Sequence, residues 1–156
     1  MSDQLMELEQ TLETQLVLVK EMRQMKNEVG AMKEEIKRDV QELRDSITLN
    51  RHEIAQVQSM VGKKAWQLTD ELFGNRNISD DLFLAKTGHF RSAIYKRLKD
   101  NFDVTRYLDI RRVDFKKAIQ IISEVKLTNL ESYQLRLTAR HKEIAIINND
   151  DIKEFL

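Results

Sequence analysis

The sequence predicts a mainly α protein: a long N-terminal coiled-coil helix, a small helical domain, and a C-terminal segment that reads as a β-hairpin or a helix. Three observations lead there. The chain has no proline and only 4 glycines in 156 residues, so little interrupts a helix. Apolar residues recur every three or four positions along most of its length. Helix start and stop signals divide that pattern at a few sharp points. The divisions fall at residues 1–49 for the coiled coil, 50–126 for the helical domain and 127–156 for the C-terminal extension.

The first element carries the narrowest stripe. Leu5, Leu8, Leu12, Val19 and Met22 keep heptad spacing, with Gln15 as the polar member. From Met25 the stripe continues through Val29, Met32, Ile36, Val40, Leu43 and Ile47, advancing about 3.67 residues per turn, as in an eleven-residue repeat. Its length is about 64 Å at 1.5 Å per residue. One helix cannot bury so narrow a seam by itself. It needs a partner helix, most simply a second copy of the chain. A helix folded back on its own domain is the alternative.

The second element starts at "TLNRHE", where Asn50 and Glu53 have capping-box spacing, so a helix begins near Arg51. Ile54, Val57, Val61, Ala65, Leu68 and Leu72 form its apolar face, and Trp66 beside them reads as core. Gly74 suits the left-handed position that ends such a helix. "GNRNISDD" is a loop, and Ser79 caps a short helix holding Leu82, Phe83 and Leu84. A further helix, from about Thr87 to Asn101, buries Phe90, Ile94, Leu98 and Phe102. "FDVTRYLDI" is a turn with one helical turn capped by Thr105. The last clear helix, Arg112 to Val125, turns Phe115, Ala118, Ile119, Ile122 and Val125 inward. Beyond it, Tyr133 to Ala139 alternates apolar and polar, which favours a strand paired with "EIAII" across "RHK". A capping box at "TNLE" and the lack of Gly, Asn or Asp in that turn favour a helix instead.

The formal net charge is zero, but it is unevenly spread. Residues 86–126 hold 11 basic and 5 acidic residues, net +6, whereas residues 1–49 hold 7 and 11, net −4. The basic segment contains "YKRLKDNFDVTRYLDIRR". Duplex binding requires Lys and Arg that neutralise phosphates and a helix end or turn that reaches base edges. Lys96, Lys99, Arg106, Arg111, Arg112, Lys116 and Lys117 are the candidates, on two helices joined by a turn in loose helix-turn-helix fashion. The bland alternative is a solvated face around a helical core, with Tyr107 in the core.

Little points to catalysis. His52, His89 and His141 lack the spacing of a metal pair, and there is no Cys. Gly30, Gly62, Gly74 and Gly88 are isolated, so no phosphate loop exists, and no nucleophile elbow occurs. Asp80–Asp81 and Asp150–Asp151 read as helix-terminal acids. Neither an enzyme nor a cofactor is expected. No apolar run approaches the roughly 18 residues of a membrane span. "MSDQLMELEQ" is acidic and polar, unlike a signal peptide.

One family shares these positions. "IYKRLKDNFDVTRYLDIRRVDFKKAIQII", with "ITLNRHEIAQVQSMVGKKAWQL" upstream, resembles the C-terminal domain of phage antirepressor-like proteins, the domain named after open reading frame six. The matching positions are Leu98, Lys99, Phe102 and Val104, then Tyr107 and Ile110, then Asp114, Phe115, Ala118 and Ile119. The resemblance covers residues 47–125. It implies a DNA-binding regulator of a phage switch, working in the cytoplasm of a bacterial host. It departs from the family's usual pattern at Arg111–Arg112, where a proline is usual before the last helix. A coiled coil also stands where a separate globular N-terminal domain is usual. The expected partners are DNA and a second copy of the chain, or else a repressor or host protein bound without DNA. A scaffold or filament component is the third reading.

Overall fold

The structure is a computed structural model, which describes residues 2–156. The chain divides into two compact units, one ending at Asp45 and the other running Ser46–Leu156.

The first unit is one helix. α1 (Ser2–Ser46) has no buried residue. Leu5, Leu12, Met25, Val29, Met32 and Ile36 are all more than half exposed. Ile47 lies past the helix end. It belongs instead to an extended segment in the second unit, so the stripe expected to reach it closes within α1.

In that second unit, residues 47–49 run antiparallel beside residues 110–112. The Arg112 amide donates to the Ile47 carbonyl at 2.7 Å, and the Leu49 amide to the Ile110 carbonyl at 3.1 Å. This single bridge, Thr48 to Arg111, stands outside any sheet. It buries Leu49 and Ile110. α2 (Arg51–Phe73) then starts on the Asn50–Glu53 capping box, with both reciprocal bonds made. It ends at Gly74, whose φ of 55° a side chain would resist.

α3 (Asp80–Phe102) starts where Ser79 accepts the Leu82 amide. The two helices expected on either side of residue 86 are one. Leu82, Lys86, Phe90, Ile94 and Leu98, four residues apart, form a continuous buried face. Burial along that face outweighs the roughly 1 kcal/mol helix cost of Gly88. Lys86, a charged residue at a core position, is what breaks the pattern in the sequence. α3 closes on Asp103 in the left-handed region. Two 3-10 turns follow, Tyr107–Asp109 and Arg112–Asp114; no side-chain cap precedes the first, so Thr105 does not serve as expected. α4 (Phe115–Glu124) packs Ala118 and Ile122 against α2 and α3.

The C-terminal residues form no hairpin. A 3-10 turn at Leu127–Asn129 leads to α5 (Ser132–Leu135) and α6 (Ala139–Asn148), and a last turn covers Lys153–Phe155. "RHK" opens α6 because Thr138 and His141 make a capping box. With no residue there that readily takes positive φ, a tight hairpin turn has no support.

One core joins α2, α3 and α4 around Val61, Phe90, Ile94, Leu98 and Ile122. A second gathers Phe73, Leu82, Leu137, Ala145 and Ile152. Trp66, expected in the core, is half exposed, with its ring edge-on to Phe83 at 5.5 Å. It follows Ala65 by one residue, which turns it about 100° around the helix. Among the described residues, no helix is long and apolar enough to cross a membrane.

Candidate nucleic-acid interface

The seven basic candidates of the sequence lie on the second unit, and the fold distributes them over several surfaces. Lys96 is exposed on α3, and its Nζ donates to the Tyr133 hydroxyl at 2.9 Å. This bond holds the Lys96 ammonium above its ordinary pKa. Lys96 lines a shallow depression of about 330 Å³ with Arg97, Asp100 and Glu131. Arg97 donates to the Asn129 carbonyl at 3.0 Å. Lys99 is partly buried, and its carbonyl receives the Asp103 and Val104 amides that close α3.

Three arginines are ion-paired on their own unit. Arg106 meets Asp109 at 3.0 Å, Arg111 meets Asp114 at 3.4 Å, and Arg112 meets Glu53 at 3.2 Å. The Arg106–Asp109 pair is exposed and contributes at most about 1 kcal/mol, so a phosphate can replace that carboxylate, whereas the Glu53 carboxylate is largely covered. The neighbouring acids still lower the local positive potential. Arg111 and Lys117 line a second depression, of about 440 Å³, together with Asp109 and Asp114. Lys117 also lies over the Phe102 ring, 5.8 Å from its centroid. Lys116 and Lys117 are exposed on α4, and no ion pair holds either among the described residues.

The seven candidates therefore do not line one cavity. Lys96 faces one depression, whereas Arg111 and Lys117 share another. Tyr107 belongs to the core side: its ring packs on Tyr95 at 4.6 Å and its hydroxyl accepts from Gln58 Nε2 at 2.6 Å.

The fold also builds a polar cluster that residue spacing did not suggest. Lys86 is fully buried, and its ammonium donates to the Gln134 carbonyl at 2.8 Å, the Arg136 carbonyl at 2.8 Å and His89 Nδ1 at 3.0 Å. All three N–H bonds are used, so the charge is satisfied without a carboxylate. Burial pushes the Lys86 ammonium down to about 8. His89 and His141, 52 residues apart, stack edge-on at 5.3 Å. Burial first, then the charges of Lys86 and His89, push His141 down to about 4. Its Nδ1 accepts the Thr138 amide at 3.0 Å, which fixes it as a neutral cap. The only hint in the sequence was a lysine within an apolar face. The cluster ties α5 and α6 to α3. Asp150 adds a second tie, accepting both the amide and the hydroxyl of Ser79, at 2.6 and 2.7 Å. Among the described residues, no three His, Cys, Asp or Glu side chains gather as a metal site.

Compared with known protein families, residues 5–133 match the ORF6C domain, which is most of the chain. The chain belongs to the ORF6C domain family. That family is phage-associated. The ORF6C match begins within α1, whereas the resemblance legible in the sequence covered only residues 47–125. Most of α1 is thus part of the match. No curated protein and no solved structure matches the chain.

Proposed function

We propose that this ORF6C-domain protein is a phage or prophage regulatory protein that binds duplex DNA through exposed cations of residues 86–126, and that α1 makes it a dimer. The observation that carries this reading is the net charge of +6 on that segment, with Lys96, Arg106, Arg111, Arg112, Lys116 and Lys117 exposed. The contacts are to phosphate, so they position the protein and carry little sequence information. The reading includes no cofactor and no catalytic step.

The test is a gel-shift titration on random and phage-control-region duplexes at two salt concentrations. Binding should weaken as salt rises, in proportion to the phosphates neutralised. Lys96→Glu with Lys99→Glu, and separately Lys116→Glu with Lys117→Glu, should weaken it on every sequence. Binding that ignores both salt and these charges would sink the proposal.

The internal ion pairs of Arg106, Arg111 and Arg112 favour a second reading, an antirepressor that binds a repressor or host protein without DNA. One stoichiometric protein partner, recovered with no retained DNA, would support it.

A further inference from the structure

We infer that α1 pairs with α1 of a second copy in antiparallel orientation, in the register that sets residue i opposite residue 48 − i. This rests on the dimer reading above and adds the orientation and register. A strict seven-residue series runs through α1 beneath the irregular apolar stripe. Lys26 and Lys33 continue the series of Leu12 and Val19, and Gln15 stands in the series of Leu8 and Met22. Met25 and Met32, one residue before each lysine, flank the seam, which the lysine stems can follow.

These polar positions discriminate between orientations. In a parallel, in-register pair, Lys26 meets Lys26 and Lys33 meets Lys33 inside the seam. Like charges there are desolvated and cost more than exposed ones. In the antiparallel register Lys33 meets Gln15, and Lys26 meets Met22. Leu8 meets Val40, and Leu12 meets Ile36. This register overlaps the helices from residue 2 to residue 46, whereas a shift of one heptad leaves apolar residues uncovered at both ends.

The flanking charges agree. Residues 2–22 hold 1 basic and 5 acidic residues, net −4, whereas residues 26–46 hold 5 and 6, net −1. A parallel pair sets the two acidic halves side by side. The antiparallel pair separates them and brings Glu9 beside Lys37 of the other copy, twice by symmetry. It also opposes the two helix dipoles. Against it, Arg23 meets its own copy at the centre, and a parallel pair would gain Asp39 with Arg44. Both of those contacts are on the exposed rim, where charge pairs contribute little, so the seam decides.

The full chain has no cysteine, so single-cysteine variants report cleanly. Leu8→Cys and Val40→Cys are made separately, and then mixed in a thiol–disulfide buffer. The expected result is a disulfide-linked heterodimer in the mixture, roughly tenfold above the self-linked product of either variant alone, because only facing Cβ atoms can bridge. Self-linking of Leu8→Cys, or a dimer that does not cross-link in the mixture, overturns the orientation or the register. Solution mass of the uncross-linked chain separates the two levels. A monomer overturns the dimer reading itself, and a dimer with the wrong cross-link overturns only this inference.

Discussion

α1 and the unit from Ser46 onward are apolar in comparable proportion, 16 of 45 residues against 47 of 111, yet α1 buries none of its residues and the other unit builds two cores. The difference lies in the width of the apolar face. Along α1 the stripe is about one residue wide per turn, and no other element of its unit covers it. In the second unit, α2, α3 and α4 each present a broader face, and the three meet. An apolar pattern therefore predicts a helix equally well in both places. Whether it predicts a core depends on what lies opposite.

The largest test of that contrast is a cavity in the shared core. Phe90→Ala should destabilise the second unit by about 3–5 kcal/mol, measured by chemical denaturation, while the helical signal of α1 persists. If α1 melts with it, the two units are not independent.

Next is the buried ammonium. Lys86→Met removes the donor of two carbonyls and of His89 Nδ1, and should cost about 1–3 kcal/mol. Hydrogen exchange should show the loss concentrated in α5 and α6. Uniform loss across the unit would mean that the cluster does not tether the tail specifically.

Acid should act through the same place. Above pH 6.5 His141 is neutral whether folded or not. Below 6.5 the unfolded chain takes up a proton that the folded chain refuses until about pH 4. Stability should fall across that window and level off below it, by on the order of 1–3 kcal/mol. Arg140, Lys86 and His89 face His141 and oppose its protonation. His141→Gln keeps a side chain suited to the capping box and should flatten the profile. An unchanged profile would place the titration elsewhere.

A cap comes next in size. Asn50→Ala should cost about 1 kcal/mol and leave the solution mass unchanged, since the lost bond is local to α2. The smallest effect is expected at Arg112→Ala, whose exposed guanidinium loses its ion pair with the largely covered Glu53 carboxylate, at a cost of about 1 kcal/mol. A loss much above that would show that the pair braces the bridge between residues 47–49 and 110–112.

The sequence by itself determined the mainly helical class, the long first helix, and most start and stop points. Those depend on neighbours in the chain: Asn50 with Glu53, Ser79 with Leu82, Gly74 at positive φ. It also located the cations that α3 and α4 expose, because a lysine off the apolar stripe points outward on any helix. Only the tertiary structure decided four further things. It joined two expected helices into α3, since Lys86 finds its carbonyl partners 48 and 50 residues away. It turned an alternating tail into helices that pack on that lysine. It brought His89 beside His141. It also paired Arg112 with the distant Glu53 and put Lys96 and Arg111 in different depressions. Each of these depends on contacts between residues far apart in the chain, and residue spacing carries no record of them.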